Sequence, residues 1–169
     1  MKTTLAPIQE IENALRQEVY ETLAHSSNKN PSIAQEPEVA YGNVLNNKLM
    51  MIQLIKAGVS YKLFKLIQKI SPFTEENWAE ILDLSTKSLQ RYKQSAKAFK
   101  SLQSEKILEI AEVTTYGIDV FGSTEKFKLW LETPSFALSN LKPIDLIKDS
   151  YGKEIVLGEL TRINYGILA

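Results

Sequence analysis

No cysteine occurs in the 169 residues, which excludes a disulfide framework, a thiolate metal site and a cysteine nucleophile together. Histidine is nearly as scarce: His25 is the only one, inside the polar stretch HSSNKNPS. One imidazole in such a stretch makes neither a metal cluster nor a Ser/His machine. Long apolar runs are missing too. The longest uninterrupted one is Leu49 to Ile52, against the ~20 residues that span a bilayer. The amino terminus, MKTTLAPIQEIE, gains acids where a signal peptide would carry its apolar region, so a cytoplasmic protein without membrane contact is expected. Gly-rich phosphate loops and convergent acid–base sets are not found, which speaks against an enzyme, and no metal or cofactor is expected. Glu109, Glu112 and Asp119 lie close in sequence and read as a solvated helix face.

What remains is 44% hydrophobic and 24% charged, the make-up of one globular domain with at most a short appendage. Ile8, Ile11, Leu15, Val19 and Leu23 predict a helix over 7–24, with Pro7 allowed in its first turn. Ser, Asn and two prolines between Ser26 and Pro37 mark a linker. Residues 1–40 thus read as a helix plus a flexible arm, and the globular part begins near Tyr41. From there the three- and four-residue spacing continues through Leu49, Ile52 and Ile55, then Leu63, Phe64, Ile67 and Ile70, then Trp78, Ile81 and Leu82. Gly58, Ser71-Pro72, Gly117, Gly122 and Pro134 punctuate it. Alternating β-branched runs are scarce, and Glu154 to Leu160 is assigned to helix. The expected fold is all-α.

Twenty basic residues cancel twenty acidic ones, so only the distribution of charge is informative. Residues 51–100 carry +5, against −2 for residues 1–50 and −3 for residues 101–169. The whole excess lies between Ser85 and Lys100, where Lys87, Arg91, Lys93, Lys97 and Lys100 occur without an acid. The overlapping string WAEILDLSTKSLQRY, Trp78 to Tyr92, has helix-turn-helix spacing. Ala79 supplies the small residue that lets two short helices cross closely, with Trp78 and Leu82 facing inward. Leu84 closes the turn, Ser85 caps the second helix, and Leu89 and Tyr92 anchor it. Thr74 with Glu75 and Glu76 starts the first helix. This register leaves Ser85, Thr86, Lys87, Gln90, Arg91 and Gln94 as the DNA-binding set, with Arg suited to guanine or phosphate, Gln to adenine and Lys to phosphate. Asp83 stands where such turns most often carry glycine. A helical hairpin with a solvated basic face is the competing reading.

Further along, Phe127, Trp130 and Leu131 form a stripe stopped at Thr133-Pro134. Pro143 opens another helix, with Asp145 in its first turn and Leu146 and Ile147 on its buried face. Gly152 is expected to end that helix, and Ile155 or Val156, Leu160 and Ile163 to form a last one. The chain then closes on Tyr165, Gly166, Ile167, Leu168 and Ala169 without a side-chain charge. Such a tail either folds back on its own core or fills a cleft of a partner.

The run VFGSTEKFKLWLETPSFALSNLKPIDLIKDSYGKEIVLGELTRINYG resembles the toxin-binding domain of the Xre, MbcA and ParS antitoxins, bacterial proteins encoded beside RES-domain toxins. Val120-Phe121-Gly122 before a helix, Trp130-Leu131, Pro134, the block Lys142-Pro143-Ile144-Asp145-Leu146 and the closing Arg162-Ile163-Asn164-Tyr165-Gly166 stand in the family's order and spacing. The similarity covers about residues 42–169 and omits residues 1–40. One departure is Ser139-Asn140, where the family usually has a second glycine after the Pro-x-x-Ala-Leu block.

The resemblance implies an Xre-like helix-turn-helix over 41–104 and a helical toxin-binding domain over 105–169. It implies an antitoxin that silences a RES toxin, an NAD-consuming enzyme, by closing the NAD pocket with its carboxy-terminal segment. Carried over position by position, the toxin-binding residues are Arg162, Tyr165, Gly166, Ile167, Leu168 and Ala169. The implied partners are the toxin, operator DNA, a second copy in a homodimer, and a hetero-oligomeric toxin–antitoxin complex, with DNA binding serving autoregulation. The alternative is a helix-turn-helix transcriptional repressor with no toxin partner.

Overall fold

The computed structural model describes residues 13, 16–21, 24, 45, 47–95 and 97–167. The expected helix over 7–24 is helical at every described position within it. His25, the linker over 26–37 and Tyr41 lie outside the described residues, as do Leu168 and Ala169. After Asn47 the elements run α1 (Lys48–Ala57), α2 (Tyr61–Ile70), α3 (Glu75–Ile81), α4 (Thr86–Ser95), α5 (Ser101–Phe121), α6 (Thr124–Glu132), a 3-10 turn (Phe136–Leu138), α7 (Pro143–Leu146) and α8 (Ser150–Asn164). Among the described residues the fold is all-α, with only an isolated antiparallel bridge between Ser135 and Leu141.

Polar residues at the helix starts set the boundaries. The Asn47 side chain accepts the N–H groups of Leu49 and Met50, Ser60 accepts that of Leu63, and Ser123 accepts that of Lys126, each satisfying donors that have no partner within the helix. Ser60 also donates to Glu18 at 2.6 Å, and Lys62 pairs with the same carboxylate at 2.5 Å. Val19 beside it is buried. The amino-terminal helix is therefore docked on the start of α2 at these residues.

Helix α5 is the centre of the fold. Its buried residues Ser104, Ile107, Leu108, Ile110, Ala111, Val113, Thr114 and Gly117 occupy more than one helical stripe, as required of a helix covered on several sides. Helices α1 and α2 pack on it from the amino-terminal unit, and α6 and α8 from the carboxy-terminal one. The hydroxyl of Ser104, fully buried, accepts the Val59 N–H at 2.9 Å and donates to the Phe99 carbonyl at 3.1 Å. The Phe99 N–H in turn donates to the Val59 carbonyl at 2.8 Å. Gly58, with φ +86°, turns the chain here, and a Cβ at that position would meet the Phe99 carbonyl oxygen.

Three expectations are corrected. Leu49 and Ile52 do not face the core: both are exposed, and α1 buries Met51 and Leu54 instead. Gly117 does not punctuate. It lies inside α5, where the Phe127 ring occupies the space a Cβ would take, and the helix ends only at Gly122, φ +77°. Gly152 does not end the helix begun by Pro143; it sits in the first turn of α8, its N–H bonded to the capping Asp149 carboxylate at 2.8 Å. The assignment of Glu154 to Leu160 to helix, by contrast, agrees with α8.

Helix α8 can follow α7 so closely because Gly152 has no side chain: a Cβ there would run into the Leu146 carbonyl. Gly152→Ala is expected to force the α7–α8 corner open and cost about 1–3 kcal/mol, the usual range for overpacking. Thermal unfolding of the variant, at about 2–4 °C per kcal/mol for a chain of this size, measures it.

Candidate functional site

The helix-turn-helix is assembled from α3 and α4. Thr74 begins α3 with a capping box, its hydroxyl accepting the Asn77 N–H at 3.2 Å while the Asn77 side chain accepts the Thr74 N–H at 3.1 Å. Trp78, Ala79, Ile81 and Leu82 are buried. The Trp78 ring meets Phe64 edge-on at 5.1 Å and Phe73 at 6.0 Å, and its N–H donates to the Ser71 hydroxyl at 3.3 Å. That anchors α3 to α2 through aromatic area with its polar handle satisfied.

The turn is a Schellman motif. The Leu84 N–H donates to the Ala79 carbonyl at 2.9 Å and the Asp83 N–H to the Glu80 carbonyl at 3.1 Å, the paired bonds of that cap. Asp83 occupies its left-handed position with φ +50°, so it adopts the conformation for which glycine is usually used. Ser85 then caps α4, accepting the Ser88 N–H at 3.0 Å. Leu89 is buried, and Tyr92 stacks on Phe99 at 4.2 Å.

With α4 held along that side, Thr86, Lys87, Gln90, Arg91 and Gln94 are all exposed and share one outward arc of about 140°. Arg91 and Gln94 line an open groove with Lys97 and Lys100 from the following loop. Gln90, Lys93 and Gln94 line a second one with Lys65 and Gln68 from α2. Lys65 was not anticipated from the sequence, because it reaches this surface from a different helix. Acids border the other end: Glu76, Glu80 and Asp83 surround the start of α4. Glu76 is held below the ordinary carboxylate pKa, first by its own backbone N–H and then by the Thr74 hydroxyl. Glu80 pairs with Lys148 at 3.0 Å. That bond, joined by Asp145 at 3.5 Å, raises the Lys148 pKa and ties the carboxy-terminal unit to the helix-turn-helix.

In the carboxy-terminal unit, Phe127 and Leu131 are buried, and Trp130 packs on Phe121 and Phe127 at 5.5 and 6.1 Å. Pro143 stands in the first turn of α7 and Ile147 is buried. Ser139 and Asn140 both take left-handed conformations, φ 56° and 60°, so the loop keeps a backbone suited to glycine although none is present. Glu109 and Glu112 are not a solvated face. Lys153 lies 3.3 Å from Glu109 and 3.5 Å from Glu112, all three largely buried, and Lys48 and Lys106 complete the set. Lys106 lies one turn away on α5, whereas Lys48 on α1 and Lys153 on α8 are remote in sequence.

Helix α8 ends in the same kind of cap as α3. Gly166 has φ +70°, its N–H donates to the Ile163 carbonyl at 2.9 Å, and the Ile167 N–H donates to the Arg162 carbonyl at 2.9 Å. Arg162 lies 3.6 Å from Glu159 one turn earlier. Tyr165, 76% exposed, and Ile167, 54% exposed, do not pack on the core. The fold-back reading of the tail does not hold through Ile167. Among the described residues no group of three or more His, Cys, Asp or Glu is placed to hold a metal. No described helix is long and apolar enough to cross a membrane.

Two family models match the chain. Residues 50–112 match the antitoxin Xre-like helix-turn-helix domain, and residues 117–166 match the antitoxin Xre/MbcA/ParS C-terminal toxin-binding domain. No curated protein matches it. A helix-turn-helix joined to a helical toxin-binding unit defines an antitoxin with two binding surfaces. The chain belongs to the Xre-type antitoxins.

Replacing Asp83 by glycine removes the left-handed penalty at the turn while adding the chain entropy of glycine. Asp83→Gly is expected to raise stability by up to about 1 kcal/mol, read as a higher denaturant midpoint at unchanged slope.

Proposed function

We propose that this antitoxin neutralises a RES-domain, NAD-consuming toxin by seating its carboxy-terminal segment in the toxin's active site, and that it regulates its own operon through α4. The observation that carries the first part is the exposed segment after α8: the side chains of Tyr165 and Ile167, on either side of Gly166, do not pack into the core of the toxin-binding unit. A dinucleotide pocket is a concave, partly apolar cleft with a few polar groups for orientation. Arg162 supplies a charge for its rim, Tyr165 aromatic area with a hydroxyl, and Leu168 and Ala169 extend the apolar plug. The chain acts by occupying a site and performs no chemistry itself. It works in the bacterial cytoplasm.

The DNA-binding set is Ser85, Thr86, Lys87, Gln90, Arg91 and Gln94. Ser85 acts mainly by fixing the start of α4, since its hydroxyl caps that helix. The basic side chains further along α4 contact phosphates and base edges. Pairing of half-sites calls for a homodimer, since one helix-turn-helix reads few bases. The Phe127 side chain is committed to the core, and Trp130 packs on it and on Phe121. Leu49 and Ile52, exposed one turn apart on α1, offer apolar area for the dimer instead.

Two experiments test the two surfaces. Lys87→Ala with Arg91→Ala is expected to weaken operator binding by about 1–3 kcal/mol and to flatten its salt dependence; a gel shift at several salt concentrations that matches the parent protein would contradict the assignment. A chain ending at Asn164 is expected to melt within a few degrees of the full chain yet lose the power to preserve cellular NAD when co-expressed with the toxin. Full protection of NAD by that shortened chain would place the inhibitory element elsewhere.

A further inference from the structure

The surface around α4 differs in sign between its two ends. Glu76, Glu80 and Asp83 surround the start, against which the first turn of α4 sets only Lys87. Among the described residues, Glu80 alone of these acids has a basic partner, Lys148. At the other end Arg91, Lys97 and Lys100 line an open groove to which no described acid contributes. None of the three forms an ion pair among the described residues, in contrast to Lys106, Lys148 and Lys153. Thr86 and Gln94 stand about 12 Å apart along the helix axis, more than the Debye length of ~8 Å at physiological salt. The two ends therefore do not cancel each other's field.

Helical geometry sorts the side chains of the basic end. Gln90 and Gln94 lie about 40° apart around the axis, with Lys93 about 60° beyond Gln90 and Arg91 about 60° beyond Gln94 on the other side. The grooves keep that order. Lys93 shares one with Lys65 of α2, Arg91 shares the other with Lys97 and Lys100, and Gln94 lines both. Glu75 is the one described acid in the first of them. Two glutamines flanked on each side by cations match a major groove about 12 Å wide, whose floor carries base edges and whose walls are the phosphates of two strands.

We propose that the protein grips DNA with the carboxy-terminal half of α4, set between Lys65 and Lys93 on one strand and Lys97 and Lys100 on the other, while the acid-bordered first turn is held off the backbone. Gln90 and Gln94 then face the base edges. The four lysines are positioning residues that carry no sequence information, and three of them come from outside α4. This rests on the reading of α4 as a DNA-binding helix. It reverses the usual docking, in which the amino-terminal residues of that helix contact the bases.

The test measures binding of the full chain to a duplex carrying the region upstream of its own coding sequence, and to a random duplex of equal length, at several salt concentrations. Lys97→Ala with Lys100→Ala, and separately Lys65→Ala with Lys93→Ala, are each expected to lower the salt slope by about two, one per phosphate contact, and to weaken both duplexes by a similar factor. Lys97→Arg with Lys100→Arg is expected to restore the parent slope. Asp83→Asn, which removes a charge beside the first turn, is expected to change affinity less than about twofold. A parent slope in either alanine pair, with binding still lost on Lys87→Ala with Arg91→Ala, overturns the proposal and leaves α4 as a DNA-binding helix. Several-fold tighter binding by Asp83→Asn overturns it too, since the first turn must then approach the phosphates. If the parent chain binds neither duplex, the DNA reading falls and the proposal with it. Sedimentation supplies the last outcome: self-association abolished by Lys97→Ala with Lys100→Ala, at unchanged DNA affinity, assigns the basic end to the acids of a second copy and overturns the proposal.

Discussion

The buried hydroxyl of Ser104 joins three pieces of chain that would otherwise leave polar groups unpaired: the corner after α1, the loop before α5, and α5 itself. Without it, the Val59 N–H and one bond to the Phe99 carbonyl would be lost where no water reaches, a larger penalty than the same bond contributes when made. What it holds in place decides the rest. Phe99 is stacked by Tyr92 on one side and lies 5.1 Å from Phe64, and Phe64 meets Trp78. Helices α4, α3 and α2 are thus oriented by one aromatic chain whose fixed point is the start of α5. Further along the same helix, Gly117 admits Phe127 and so fixes α6.

Electrostatics add alignment and contribute little stability. The Glu109, Glu112 and Lys153 group is removed from water enough to be directional, and with Lys48 and Lys106 it links α1, α5 and α8. Such networks fix register more than they stabilise, because desolvation offsets much of the attraction. The exposed bridge between Lys148 and Glu80 contributes less still, but it is a direct side-chain tie from the toxin-binding unit to the helix-turn-helix. The acids around the start of α4 have the opposite sense to the basic arc behind it. The field along α4 is therefore graded, negative beside its start and positive towards Lys97 and Lys100.

Much of this was legible in the sequence because helix periodicity, caps and the inward face of the helix-turn-helix are local properties. Thr74, Ala79, Ser85 and Pro143 act as their types suggest. The misreadings share one cause. Spacing shows that a helix has an apolar stripe but not which of two stripes is covered: Leu49 and Ile52 have core spacing, yet Met51 and Leu54 fill the core, and between Ile155 and Val156, which spacing leaves open, only the second is buried. Glycine carries the same ambiguity, since a break, a left-handed cap and a notch for a neighbour are alike in a string of letters. Gly117 is a notch, Gly122 a cap, and only three-dimensional neighbours tell them apart. Lys48 and Lys153, which draw Glu109 and Glu112 out of solvent, lie too far along the chain for any local pattern to show them.

Helix α5 passes from one unit to the other as an uninterrupted 21-residue rod, roughly 31 Å long at 1.5 Å per residue. Nothing along it offers the glycine pair, proline or bulge at which helices bend. The helix is therefore a ruler: α1 and α2 on one stretch of it and α6 and α8 on another are spaced by a single element. The spacing between the two units is then set by the length of one helix, and a residue inserted or removed within it would turn one unit by about 100° relative to the other.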